Sequence, residues 1–140
     1  MNCAARGPML VLDGSVLFEI VADTSGAEAL RRRLLLDPDL CAPHMIDAEV
    51  HAVIQRENRN GRLDLTAATQ AVDDLRTWPG ERWPHQPLLA RAWQLRHNVR
   101  SYDALYVALA EALGATLLTL DQRLATAAGL RCAVEVPASH

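Results

Sequence analysis

The chain has 140 residues, half of them hydrophobic and 22% charged, the make-up of one ordinary globular domain rather than a disordered segment. Its 14 basic residues against 17 acidic ones give a net charge of −3, so bulk charge does not make it a coat for nucleic acid. All 14 are Arg; the absence of Lys excludes a P-loop lysine, a Schiff-base lysine and a Ser-Lys dyad.

Cys3, Cys41 and Cys132 are scattered without a CxxC spacing, which argues against a zinc ribbon or redox motif and fits free thiols in a reducing compartment. No run approaches 18 continuous apolar residues, and the first eight residues carry no apolar signal core. The expectation is a cytoplasmic protein without a membrane span.

Residues 1–8 are small or polar and close on Gly7-Pro8; they read as a flexible extension, with Met9 a candidate internal start and a single domain over 9–140. The apolar run Met9-Leu10-Val11-Leu12 closes on Asp13 and predicts a strand. Short helices follow over 16–21 and 25–36, the second stopped by Asp37-Pro38. Leu40-Cys41-Ala42 predicts a strand, and Pro43 opens a helix with Ile46, Val50, Val53 and Ile54 at helical spacing, ended by Asn60-Gly61. Another helix covers 66–78, stopped by Pro79-Gly80.

Arg82-Trp83 suggests a small strand, and 87–97 a helix with Pro in its first turn. Ser101 reads as the N-cap of a helix that runs to Leu113 and stops at Gly114. A continuous apolar strand over 116–120 ends on Asp121; a short helix to Ala128 and a last strand over 132–136 complete the chain. Short apolar strands alternating with longer helices predict an α/β fold: a central, mostly parallel sheet with helices on both faces.

In such sheets ligands bind beyond the carboxyl ends of the strands. Asp13 and Asp121 each follow a predicted strand, and Asp103 stands in the first turn of an otherwise apolar helix. Alone, Asp103 is equally well explained as an acid favoured by the helix dipole. Carboxylates packed together repel, so a cluster must hold either a proton or a cation, and oxygen ligands favour Mg²⁺ or Mn²⁺ over zinc. On the predicted 43–59 helix, Asp47 and Glu49 both flank the apolar face, and periodicity does not choose between them.

The segments VLDGSVL, PHMIDAEVHAVI and, most specifically, SYDALYVALAEALGATLLTLDQRL resemble the PIN-domain nucleases, and among them the VapC-type ribonuclease toxins of toxin–antitoxin pairs. The resemblance runs from about Met9 to Val136 and implies a PIN-like three-layer sandwich. Carried over by position, it puts the four acids of the family's site on Asp13, Glu49, Asp103 and Asp121, with Glu49 preferred over Asp47. Ser15 matches a hydroxyl residue that supports the first acid, or else simply caps the next helix. Arg123 stands where many members have an acid or Asn, which puts a second metal site in doubt. Gly14 replaces a more common Ala, a small change read as tolerated.

The resemblance implies a Mg²⁺- or Mn²⁺-dependent endoribonuclease acting on tRNA or rRNA. Asp13, Asp103 and Asp121 would hold metal, and Glu49 would do so directly or through water. It further implies a VapB-type antitoxin partner and a homodimer. Arg56, Arg59, Arg62, Arg96 and Arg100 are candidate RNA contacts. The Arg31-Arg32-Arg33 run and the five His read more simply as surface or structural residues, and Tyr102 and Tyr106 as core. Two other readings stand beside this one: a catalytically silent PIN-like binding module, and a Mg-dependent phosphatase or phosphoacceptor domain, which would ordinarily want a Lys.

Overall fold

Leu10, Val11 and Leu12 are all fully buried in the computed structural model, which describes residues 9–37 and 39–138. Successive side chains of a strand point to opposite faces, so a run with no exposed position has both faces covered. This strand, β1 (Met9–Leu12), is the middle of a five-stranded sheet. The others are β2 (Asp39–Pro43), β3 (Glu81–Trp83), β4 (Thr116–Leu118) and β5 (Val134–Glu135), in the order β3-β2-β1-β4-β5. Every pairing is parallel.

Each parallel pairing needs a crossover, and helices supply them. Between β1 and β2 run α1 (Gly14–Val21) and α2 (Ala27–Leu34); between β2 and β3 run α3 (Met45–Arg59) and α4 (Leu65–Arg76). After β3, a 3₁₀ turn (Gln86–Leu88) leads into α5 (Leu89–Gln94) and α6 (Ser101–Leu113); α7 (Gln122–Thr126) joins β4 to β5. Helices α1 to α4 pack on one another, whereas α6 carries α5 and lies across β1, β2 and β4. Seven consecutive α6 residues, Ala104 to Ala110, are buried, as a helix laid in the core requires. The result is the expected three-layer α/β sandwich, with a sheet that is wholly parallel among the described residues.

Several boundaries differ from the sequence reading. Pro43 ends β2 and does not open a helix; α3 starts at Met45, whose N–H donates to His85 Nε2 at 3.0 Å. The helix expected over 87–97 is a 3₁₀ turn followed by the six-residue α5. Ser101 is the first residue of α6, and the cap position belongs to the extended Arg100, without a side-chain cap bond. β4 stops at Leu118, short of the expected 116–120; Thr119, the next residue, still bonds the Glu135 carbonyl of β5 through its N–H at 3.1 Å. The last strand is shorter than expected, Val134–Glu135.

The arginine run is not merely a solvated face. Arg33 makes a two-point contact with Glu135 of β5, at 2.5 and 2.8 Å, and also bonds Asp37 at 2.7 Å, so it ties α2 to the edge strand. The extension expected over residues 1–8 lies outside the described residues. Among the described residues no helix is long and apolar enough to cross a membrane.

Candidate active site

The chain lays β2 and β3 on one side of the central β1 and then β4 and β5 on the other, so the strand order reverses between β1 and β4, where such sheets open a crevice beyond the strand ends. The register pairs Leu12 with Leu118, so the next residues, Asp13 and Thr119, meet at the lip. The Asp13 N–H bonds the Leu118 carbonyl at 3.2 Å, and Asp13 then leaves the sheet as the N-cap of α1.

The Asp13 side chain is only 5% exposed. Oδ1 accepts from the Ser15 hydroxyl at 2.5 Å and from the Val16 N–H at 3.2 Å, and Oδ2 accepts from the Thr119 hydroxyl. Burial pushes its carboxyl above the usual range, and these hydrogen bonds only partly offset that. The cap of α1 is therefore Asp13 itself, and Ser15, inside the helix, orients it. Ser15 also accepts from the Leu120 N–H at 3.3 Å, so one hydroxyl joins the β1 and β4 exits.

Glu49 and Asp47 are separated by tertiary contacts. Asp47 turns to Arg82, which donates to it from Nη2 at 2.8 Å and Nε at 3.1 Å. Glu49 accepts from the Tyr106 hydroxyl at 3.2 Å, and a methyl group placed on Gly14 would stand 3.4 Å from its Oε2. Burial raises the Glu49 carboxyl, and the negative charges of Asp103 and Asp13 raise it further. Asp103, half-buried in the first turn of α6, is raised by burial and then by Asp13 and Asp121, with Arg100 and Arg123 opposing. Tyr106 is pushed well above its ordinary range, first by burial and then by Glu49, Asp13 and Asp103, so its hydroxyl remains a donor.

Asp121 behaves differently. It caps α7, and Arg123 donates to it through N at 2.9 Å, Nε at 3.1 Å and Nη2 at 3.1 Å. The arginine holds its carboxyl below the usual range. Asp103, Asp121, Arg100, Arg123 and Asn98 line a small cleft of about 140 Å³. Gly14, Ser15, Glu49 and Arg56 line a larger groove of about 550 Å³. The four acids thus come from four different elements: Glu49 lines the larger groove, Asp103 and Asp121 line the smaller cleft, and Asp13 is buried at the end of β1.

Among the described residues no three such side chains form a ready-made metal cage. The Asp13 oxygens are turned to hydroxyls and the Asp121 oxygens to Arg123. The donor set still fits a hard divalent ion. It is all oxygen; burial raises the Asp13, Glu49 and Asp103 carboxyls, and neighbouring negative charge raises Glu49 and Asp103 further, a cost that a cation relieves.

The candidate RNA-contacting arginines are spread unevenly. Arg56 and Arg100 line the two clefts. Arg62 is drawn to Glu57, at 2.5 and 2.9 Å, and Arg96 stacks over the Trp93 ring at 4.5 Å. Arg59 is exposed near the end of α3. Tyr102, read as core, is instead 68% exposed. Tyr106 is core as expected, but its hydroxyl reaches the site. Thr119 was missed altogether: fully buried, it donates to Asp13 and accepts from the Asp121 N–H at 3.0 Å. The sequence carries no local signal for it, because the β1–β4 register alone brings it to Asp13.

The PIN domain family matches residues 10–130. Ribonuclease VapC1 of Mycobacterium tuberculosis is 41% identical over 127 residues, covering 90% of this chain and 96% of its own. Ribonuclease VapC3 of the same organism is 40% identical, covering 84% and 86%. Among solved structures, the VapBC2 complex of Rickettsia felis bound to promoter DNA contains a chain that superposes with a TM-score of 0.69. That pair is 13% identical and covers 91% of this chain and 98% of the other, a likeness of fold. The four strand- and helix-end acids therefore sit in a known framework: this chain belongs to the PIN-domain family, among its VapC ribonucleases.

Proposed function

We propose that the chain is a divalent-metal-dependent endoribonuclease toxin, with Mg²⁺ or Mn²⁺ held by Asp13, Asp103 and Asp121 and by Glu49 directly or through water. The observation that carries this is the gathering of Asp13, Glu49 and Asp103 from three separate elements, near enough that Asp13 and Asp103 raise the Glu49 carboxyl and Asp13 raises that of Asp103. When bound, the ion activates water and neutralises charge on the phosphodiester. The chain's own residues supply the frame. Ser15 and Thr119 fix the Asp13 carboxylate, and Tyr106 holds Glu49. Arg100 and Arg56 stand at the two cleft walls for backbone phosphates, with Arg59, Arg62 and Arg96 further out. Cleavage leaves a 5′-phosphate and a 3′-hydroxyl without a covalent protein intermediate.

The same reading carries a VapB-type antitoxin as inhibitor, a homodimer as the active assembly, the cytoplasm as the place of action, and tRNA or rRNA as substrate. The test is cleavage of end-labelled RNA by the purified chain with Mg²⁺ or Mn²⁺. Chelation should abolish cleavage, and Asp13→Asn should lower it by at least ~100-fold with an unchanged circular dichroism spectrum. Full activity in Asp13→Asn, or in excess chelator, overturns the proposal. Hydrolysis of a phosphomonoester without RNA cleavage would favour the phosphatase reading instead.

A further inference from the structure

Arg123 engages both oxygens of Asp121, Nε on Oδ1 and Nη2 on Oδ2, each at 3.1 Å. Its backbone N–H adds a third bond to Oδ1 at 2.9 Å. The guanidinium and a divalent cation therefore compete for the same two oxygen atoms. The competition is one a cation can win. The Arg123 side chain is 68% exposed, and exposed ion pairs hold their partners weakly.

Released from Asp121, the guanidinium still belongs to the wall of the cleft that Arg123 lines. Asn98, Arg100, Asp103, Asp121 and Arg123 are the polar residues of its lining, so two arginines and two carboxylates share one small cleft. Once a cation occupies the carboxylates, two forks remain with no anion inside the cleft. Their geometry matches a phosphate, which accepts two parallel N–H bonds.

We propose that Arg123 is a positioning residue that acts as the built-in counter-ion of Asp121: a divalent cation displaces it, and the freed guanidinium then receives a phosphate of the bound RNA. This rests on the reading of Asp121 as a metal ligand. Arg123 thus works twice with one charge, guarding the ligand pair against self-repulsion and then adding positive charge for the substrate. It also makes metal binding and RNA binding mutually supportive, since each favours the same released arrangement.

The test is Mn²⁺ binding to the purified, full-length chain by titration calorimetry, wild type beside Arg123→Ala and Arg123→Lys. Removing a competing unit charge a few ångströms away should tighten Mn²⁺ binding by about three- to tenfold at low salt, less at 0.5 M, as expected for a screened charge. Arg123→Lys, which keeps the charge but loses the two-point fork, should fall between. A change that merely damaged the fold would loosen binding, so the direction separates the two.

At saturating Mn²⁺, Arg123→Ala should also raise the KM for RNA by roughly three- to tenfold, through loss of one phosphate contact. Unchanged or weaker Mn²⁺ binding in Arg123→Ala overturns the counter-ion role. Tighter Mn²⁺ binding with an unchanged KM overturns the phosphate role. If no form, wild type included, binds Mn²⁺, the metal-site reading itself fails, whatever Arg123 does.

Discussion

Asp103→Asn should make the protein more stable, although it alters a residue placed in the candidate site. The Asp103 carboxylate is half-buried, accepts no hydrogen bond among the described residues, and feels the charges of Asp13 and Asp121. Two unit charges about 6 Å apart repel by about 1.4 kcal/mol at an effective dielectric of about 40, and by twice that at about 20. Against this stand the helix N-terminus, worth about 0.3–1 kcal/mol to an acid there, and the attraction of Arg100 and Arg123. The balance is a gain of roughly 0.5–1.5 kcal/mol at neutral pH, or about 2–5 °C in Tm for a chain of this size.

The sign with pH follows from the raised carboxyl. A carboxyl whose folded pKa lies above its unfolded value costs stability once ionised, and that cost disappears as pH falls below about 3.8. The gain in Asp103→Asn should therefore be present at pH 7.5 and vanish towards pH 3.5. Divalent ions should invert the order: Mn²⁺ raises the Tm of the wild type by mass action and raises that of the variant much less. The assay is thermal melting in chelator and in Mn²⁺ across pH. If Asp103→Asn is destabilised equally at both ends of the pH range, or gains as much from Mn²⁺ as the wild type, the repulsive-cluster reasoning is wrong.

Two further outcomes can be checked by denaturation. Thr119→Val removes a fully buried hydroxyl that serves Asp13 and the Asp121 N–H, and should cost about 1–3 kcal/mol, more at pH 7.5 than at pH 4 because the bond favours ionised Asp13. Gly14→Ala should fold normally and gain about 0.4–1 kcal/mol, since Gly14 opens α1 outside the left-handed region and its added methyl meets Glu49 at ordinary contact distance.

The fold class was legible because alternation of apolar strands with helices survives in any single sequence. Element ends were less legible where backbone bonding decides them. Pro43 looks like a helix opener, yet its strand partner Trp83 keeps it in β2. Ser101 looks like a cap, yet the extended residue is Arg100. Of the site, Asp13 and Asp121 showed themselves as acids following apolar runs, and the family resemblance supplied Glu49 and the role of Asp103. Thr119 and the Tyr106 hydroxyl left no local signal, because their importance lies in partners 106 and 57 residues away along the chain.

The net charge of −3 illustrates the division. By itself the sequence determined that the acids outnumber the arginines and that any phosphate contact must come from Arg, backbone or metal. Only the tertiary structure decided which acids repel and which are already neutralised. Asp47 is paired with Arg82, Glu111 with Arg91 and Glu135 with Arg33, while Glu49 feels the negative charges of Asp103 and Asp13, and Asp103 those of Asp13 and Asp121. Charge interactions fall with distance and strengthen with burial, and both are properties of the folded chain rather than of residue order.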